Sequence, residues 1–127
     1  MQRSKHLALE EVFTTLLNLS PLEVTLAEVQ EREIILHCRS TLRQTHCPVC
    51  LEKCSFVKDT YVRKLRDLSI SGKIVHLHFT VRQFVCRPCN RHFHEQYGFA
   101  AKNGTMTQRY EDFIRAASAI TAVRVLT

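Results

Sequence analysis

Two pairs of cysteines constrain this chain more than any other feature of its sequence. One pair lies in Cys47-Pro48-Val49-Cys50 and the other in Cys86-Arg87-Pro88-Cys89, and 35 residues separate the pairs. A C-x2-C turn places two sulfurs on one side of a tight loop, where tetrahedral zinc binds both at about 2.3 Å. The spacing therefore predicts one structural Zn2+ bound by Cys47, Cys50, Cys86 and Cys89 and held by a hairpin of two long strands.

Other interpretations of the cysteine pairs stay open at this point. The gap is longer than the roughly 15 to 20 residues of the commonest tandem zinc pattern, and disulfides or a single redox C-x2-C motif are alternatives. A redox motif of the thioredoxin type needs a following helix, and neither pair is followed by a helical pattern. Four cysteine ligands leave no position for a catalytic water, so the predicted metal has a structural role.

The other two cysteines and the paired histidines are predicted to lie outside the metal site. Cys38 ends an apolar run and Cys54 lies four residues after Cys50, so we expect both to be buried thiols. Two pairs of histidines alternate along predicted strand faces: His76 with His78, and His92 with His94. Histidines at this spacing can share a metal, but a complete cysteine set favours polar strand faces that could also contact phosphate.

Hydrophobic periodicity predicts an α+β fold that begins with a helix and a hairpin. Apolar residues recur at helical spacing over residues 7–19, and Pro21 ends the run. Residues 24–29 and 34–38 are rich in β-branched side chains and are separated by four polar residues. This pattern is typical of two strands joined by a turn.

A longer hairpin is predicted between the cysteine pairs as part of a small antiparallel β unit. Residues 61–70 and 74–85 have strand patterns, and Ser71-Gly72 provides the turn. Apolar side chains occupy one face of the second strand: Val75, Leu77, Phe79, Val81 and Val85. The other face is polar and predicts a half-buried strand: His76, His78, Thr80 and Arg82. Residues 91–95 predict a further short strand.

The last predicted element is a C-terminal helix over residues 107–126. Thr105 and Gln108 have the spacing of a capping box. The apolar side chains that share one helical face are Tyr110, Phe113, Ile114, Ala117 and Ile120. We therefore expect three segments: a helix and hairpin in 1–45, a zinc-binding β region in 46–96, and the C-terminal helix in 97–127.

Positive charge is concentrated in the middle of the chain. The formal net charge is +6, while residues 39–95 hold eleven basic and four acidic residues. Clustered cations favour a polyanionic partner, although a solvated basic surface gives the same composition. The expected DNA phosphate contacts are Arg63, Lys64, Arg66, Lys73, Arg82, Arg87 and Arg91. Asp67 is expected to orient Arg66 or Arg63, or to form an ordinary surface ion pair.

No apolar run reaches the roughly 20 residues of a membrane span, and acidic residues interrupt the N-terminal segment before a signal sequence forms. We therefore expect no membrane partner and a cytoplasmic location. The length and composition indicate a small globular chain, and no small-molecule substrate is expected.

The order of these motifs resembles the N-terminal zinc-binding region of insertion-sequence transposases of the ISL-three type. The residues that carry the resemblance are Cys47-Pro48-Val49-Cys50, Tyr61-Val62-Arg63-Lys64-Leu65-Arg66-Asp67-Leu68, Gly72 and the strand that ends at Cys86. It covers most of residues 9–125. One departure is Leu51, because the family usually has glycine after the first cysteine pair.

The resemblance implies a zinc-stabilised DNA-binding region that recognises transposon ends during DNA transposition. It also implies that family members continue into helix-turn-helix-like segments and a ribonuclease-H-type domain with three metal-binding acids. We expect this chain to be a truncated form without catalytic residues and not an enzyme by itself. The alternatives are a protein-interaction or dimerisation module that forms a homo-oligomer, and an inert remnant of a transposase gene.

Overall fold

The structure is a computed structural model that describes residues 8–101 and 103–126, with side chains up to residue 120. Leu7, at the start of the predicted helix, lies outside the described residues. The described chain confirms the α+β prediction. Its elements are α1 (Leu9–Leu17), β1 (Leu22–Val29), β2 (Glu33–Ser40), β3 (Thr45–His46), β4 (Lys53–Cys54), β5 (Val57–Ile70), β6 (Lys73–Cys86), β7 (Arg91–His94) and α2 (Gln108–Leu126).

Five of the strands form one sheet in the order β1-β2-β6-β5, and β7 pairs with the end of β6. The pairs β1–β2, β5–β6 and β6–β7 are antiparallel. Strands β2 and β6 pair in parallel, with Ile34 beside Val75 and Cys38 beside Phe79. The antiparallel pairing predicted for residues 61–70 and 74–85 is confirmed in β5 and β6, whereas the sequence did not predict the parallel pairing of β2 with β6. This register places the apolar residues of both strands on the same buried face, which a shift of one residue would undo.

The main hydrophobic core lies on one face of this sheet. Strand β6 contributes Val75, Leu77, Phe79 and Val81, each at most 1% exposed. Helix α1 covers part of the same face with Phe13 and Leu17, and the segment after β7 adds Tyr97 and Phe99. Phe79 contacts Tyr97 edge-on, with ring centroids 5.2 Å apart. The alternation in β6 predicted this buried face.

A second, smaller core lies on the opposite face at the end of β6. Its residues are Cys47, Cys54, Phe84, Cys86, Cys89 and Phe93. Successive strand residues point to opposite faces, so Phe84 and Cys86 point away from the side that buries Val81. Val85 lies beyond the main core and is only partly buried. Strand β6 therefore contributes side chains to both cores, one on each face of the sheet.

Helix α2 begins at the edge strand β5. Thr107 caps the helix, because its side-chain oxygen accepts a hydrogen bond from the Tyr110 N–H at 3.3 Å. The capping box predicted for Thr105 and Gln108 is therefore wrong by two residues. Beyond the first turn, the apolar side chains of α2 that the structure describes, up to residue 120, are exposed, including Phe113 at 59%. None of the described helices combines the length and apolar content that a membrane span requires.

Candidate metal centre and nucleic-acid interface

The four predicted metal ligands come together in space. The sulfurs of Cys47, Cys50, Cys86 and Cys89 all lie within 4.8 Å of one another. The Cys47 and Cys89 sulfurs are 3.6 Å apart, and the Cys50 and Cys86 sulfurs are 3.4 Å apart. A tetrahedron with metal–sulfur bonds of about 2.3 Å has edges of about 3.8 Å. The cluster therefore has the size and the donor set of a structural Zn2+ site.

Backbone hydrogen bonds shape the first cysteine turn. The Cys47 N–H donates to the Glu52 carbonyl at 2.8 Å, and the Leu51 N–H donates to the Cys47 carbonyl at 2.9 Å. Leu51 has φ 63°, and Asn90 has φ 53° at the matching position of the second turn. Asparagine tolerates this left-handed conformation, whereas leucine is strained in it. The leucine at this position is therefore a source of strain in the first turn.

The electrostatics of the cluster fit a cation. Backbone hydrogen bonds, first that of Cys50 and also that of Val49, lower the pKa of the Cys47 thiol to about 6 despite its burial. Burial and the neighbouring sulfurs raise the pKa of Cys89 to about 12. Without a cation, one thiolate forms readily and opposes ionisation of the next. A divalent metal removes this conflict because it stabilises all four thiolates.

The two remaining cysteines are buried, as predicted. Cys54 is 3% exposed beside the cysteine cluster, and Cys38 is 6% exposed in the main core. Burial raises the pKa of Cys38 to about 12, so this thiol stays protonated. The ring of Phe93 on β7 stacks on Phe84, with centroids 5.9 Å apart. These apolar side chains pack around the cysteine cluster and shield it on one side.

Three of the seven side chains that were predicted to contact DNA donate hydrogen bonds to other groups of the protein. Arg63 donates to the carbonyls of Ala101 and Gly104. Both ends of the Arg82 guanidinium bind the Glu95 carboxylate at 2.7 Å. Lys73 donates to two carbonyls in the turn between β1 and β2. These cations stabilise the fold, and a phosphate would have to compete for them.

The other four predicted contacts form no ion pair with a described carboxylate. Lys64, Arg87 and Arg91 are exposed, and Arg87 lies over the Phe56 ring at 5.2 Å. Arg66 lies over the Tyr110 ring at 4.8 Å, and its buried Nε has no hydrogen-bond partner among the described residues. The exposed side chains of Lys64, Arg87 and Arg91 therefore retain donors that an anion can use.

Asp67 has a different partner from the one that the sequence suggested. It is 2% exposed, and its carboxylate accepts hydrogen bonds from Arg109 and Thr107 rather than from Arg63 or Arg66. The two predicted roles of Asp67, orienting a neighbouring arginine or forming a surface ion pair, are therefore wrong. The Asp67 side chain points to the main core. Because successive strand residues point to opposite faces, the Arg66 side chain lies on the other face of the sheet.

The sequence did not single out His37, which the parallel pairing of β2 and β6 places opposite His78. The rings of these two histidines meet edge-on, with centroids 5.4 Å apart. His92 and His94 lie on β7, as predicted, and are exposed. No local sequence pattern marks His37, because the residue that its ring contacts, His78, lies on a strand about 40 residues later in the chain.

The fold and the cysteine cluster together define a zinc ribbon attached to a mixed β-sheet. Residues 43–89 match the family described as the zinc-finger of transposase IS204/IS1001/IS1096/IS1165. This match includes all four cysteines and the hairpin of β5 and β6, and it confirms the resemblance to the N-terminal zinc region of ISL-three-type transposases. Comparisons with curated proteins and with solved structures gave no match.

Proposed function

We propose that this chain is the zinc-stabilised DNA-binding region of a transposase and contacts the DNA at transposon ends. In this proposal it has no catalytic role by itself. The observation that carries the proposal is the transposase zinc-finger match over residues 43–89, within the most basic part of the chain. Duplex DNA is the polyanion that a transposase region encounters.

The arrangement of the cations around the zinc ribbon supports this function. Arg87 lies inside the second cysteine turn, and Arg91 begins the strand that follows it. Both positions are held by the cysteine cluster and the paired strands β6 and β7. A phosphate backbone that docks here orders little of the protein, so the entropic cost of binding is small.

The distribution of acidic residues supports a non-catalytic role. Two-metal nucleases bring several carboxylates together around their ions. Among the described residues, the only group of three or more candidate metal ligands is the cysteine cluster. Several of the described acids instead pair with basic side chains, as Glu95 does with Arg82 and Asp67 does with Arg109.

A fluorescence anisotropy titration with transposon-end and random duplexes tests the proposal. We expect wild-type protein near pH 8 to bind both duplexes, with affinity that falls steeply as salt increases. The triple variant Lys64→Ala, Arg87→Ala, Arg91→Ala should lose on the order of tenfold or more in affinity at low salt. All three side chains are exposed, so the variant should fold normally.

The matched control removes three positive charges at other sites. Arg32, Arg39 and Arg115 are exposed, and they lie in the β1–β2 turn, on β2 and on α2. Their replacement by alanine should reduce affinity much less than the first triple variant does. Equal losses in the two variants would show a general charge effect, and no binding at low salt would contradict DNA binding altogether.

A second candidate function is self-association through α2. Phe113 and Ile120 are 59% and 58% exposed on this helix, which suits a homo-oligomeric contact. Light scattering at several protein concentrations tests it. A dimer that persists in high salt and dissociates in the Phe113→Ser variant would favour this function, and a monomer throughout would exclude it.

A further inference from the structure

The second face of the sheet is not covered by α1, and it carries a cluster of charged and titratable side chains. We call this surface the histidine face. Its residues come from four strands: Glu28 on β1, Glu33 and His37 on β2, Lys64 and Arg66 on β5, and His76 and His78 on β6. Strand pairing places Lys64 and His37 on either side of His78, and Arg66 beside His76. All seven side chains are exposed or half-buried.

Contacts on this face leave one histidine without a carboxylate partner among the described residues. His37 Nε2 lies 3.2 Å from the Glu28 carboxylate, and His76 Nε2 lies 3.4 Å from the Glu33 carboxylate. His78 instead meets the His37 ring and lies opposite Lys64. Burial, and then the charges of Lys64, His37 and His76, lower the pKa of His78 despite the opposing effect of Glu28.

The charge on the histidine face changes with pH. When the histidines are neutral, Lys64 and Arg66 balance Glu28 and Glu33, so the face carries no net charge. Protonation of all three histidines gives it a net charge of +3. Two further ion pairs on the same side of the sheet, Arg39 with Glu23 and Arg82 with Glu95, add nothing to this balance. Histidine is the side chain whose charge ordinarily changes between about pH 5 and 8, and strand pairing brings three of them onto this face.

We infer that the histidine face is a second DNA-contacting surface and that DNA binding there is coupled to proton uptake by His37, His76 and His78. The inference rests on the proposed DNA-binding function. Neighbouring positive charges on the face lower the affinity of each histidine for a proton. DNA phosphates that lie over the face offset these charges. Binding therefore raises the affinity of the histidines for protons, and by linkage a lower pH tightens binding.

Duplex DNA fits this face by charge and by position. The protonated face presents five cationic groups against two carboxylates, which complements a phosphate backbone. The zinc ribbon lies on the same side of the sheet, at the end of β6 where Phe84 and Cys86 are buried. A duplex that contacts Arg87 and Arg91 can thus continue over the histidine face without crossing to the core side.

Anisotropy titrations with one short random duplex near pH 8 and near pH 6 test the inference. We expect wild-type protein to bind on the order of tenfold more tightly at the lower pH. The slope of log affinity against log salt should steepen by up to about 2.7, which corresponds to three added phosphate contacts. In the His37→Gln, His76→Gln, His78→Gln variant, the pH effect should fall to about twofold or less.

The matched control is His92→Gln with His94→Gln, which removes two exposed histidines from β7. This variant should keep most of the pH effect. A pH effect that is equal in wild type and in the triple variant, or absent from wild type, overturns the inference and leaves the proposed function standing. If wild-type protein binds no DNA at either pH, the result contradicts the proposed function itself.

Histidine titration by NMR keeps the test decisive if the triple variant is unstable. The imidazole signals of wild-type protein are followed against pH with and without the duplex and assigned with single Gln variants. We expect the duplex to raise the pKa of His37, His76 and His78 more than that of His92. Equal pKa values with and without DNA for the three sheet histidines overturn the inference.

Discussion

The buried carboxylate of Asp67 binds the guanidinium of Arg109, although 42 positions separate them in the chain. Arg109 Nε donates to Asp67 Oδ1 at 2.8 Å, and its Nη1 donates to the Leu17 carbonyl, also at 2.8 Å. Thr107 donates a further hydrogen bond to Asp67 at 2.7 Å. One arginine thus connects the end of α1, strand β5 and the start of α2.

Replacement of Arg109 by methionine should destabilise the protein by about 3 kcal/mol, because it leaves Asp67 buried without its charge partner. In a chain that also carries Asp67→Asn, the same replacement should cost much less. Urea unfolding of the four proteins in this double-mutant cycle measures the coupling. Additive effects of the two substitutions would contradict a direct interaction.

The Asp67 carboxyl should also make stability depend on acid pH. Burial would raise its pKa, but the hydrogen bonds from Arg109 and Thr107 outweigh burial and lower the pKa below its usual value. A depressed pKa gives stability above the unfolded value of about 3.9, which is lost as pH falls through the folded value. The stability difference between wild type and Asp67→Asn should therefore be constant above about pH 5 and shrink below about pH 4. A constant difference down to pH 3 would contradict this assignment.

Substitution of a zinc ligand should unfold the ribbon before the main core. We expect Cys86→Ser to bind less than one zinc per chain, and Cys54→Ala, beside the cluster, to keep the full amount. Hydrogen exchange should show lost protection around Cys47 and Phe84, because their core depends on the metal, while Leu77 stays protected. One bound zinc per chain in Cys86→Ser, measured by elemental analysis, would contradict the four-cysteine site.

Replacement of Leu51 by glycine should stabilise the zinc-bound protein by about 0.5 to 1 kcal/mol. Glycine adopts the positive φ at little cost, and the leucine side chain is 71% exposed, so little packing is lost. The control is Leu42→Gly, at an exposed position where φ is not positive, which should be neutral or destabilising. Thermal unfolding in excess zinc compares the two. An equal effect at both positions would exclude strain at Leu51.

Two arginines that were both predicted to contact DNA should differ in their effect on stability. Arg82→Ala should lower the free energy of unfolding by about 2 kcal/mol, since it leaves the Glu95 carboxylate, only 7% exposed, without its charged partner. Arg91→Ala should change stability by less than about 0.5 kcal/mol, because its side chain is exposed. Thermal unfolding of both variants checks this, and equal shifts would refute the difference.

Local spacing in the sequence was sufficient to predict the metal ligands and most of the secondary structure. The C-x2-C pairs, the alternation in β6 and the Ser71-Gly72 turn each operate over a few residues. Such short-range patterns determine turn geometry and which face of a strand is buried, without reference to residues far away in the chain. The division of the chain into three segments stays a prediction, although β2 and β6 share one sheet.

The tertiary structure decided which distant residues meet. The parallel pairing of β2 with β6, the ion pair of Asp67 with Arg109 and the contact of His37 with His78 all join residues about 40 positions apart. No periodicity encodes such contacts, because they follow from how the apolar faces pack and from the need to pair buried charges. Residue type alone therefore indicated a basic surface, and only the fold separated the cations that stabilise the protein from those with donors available to an anion.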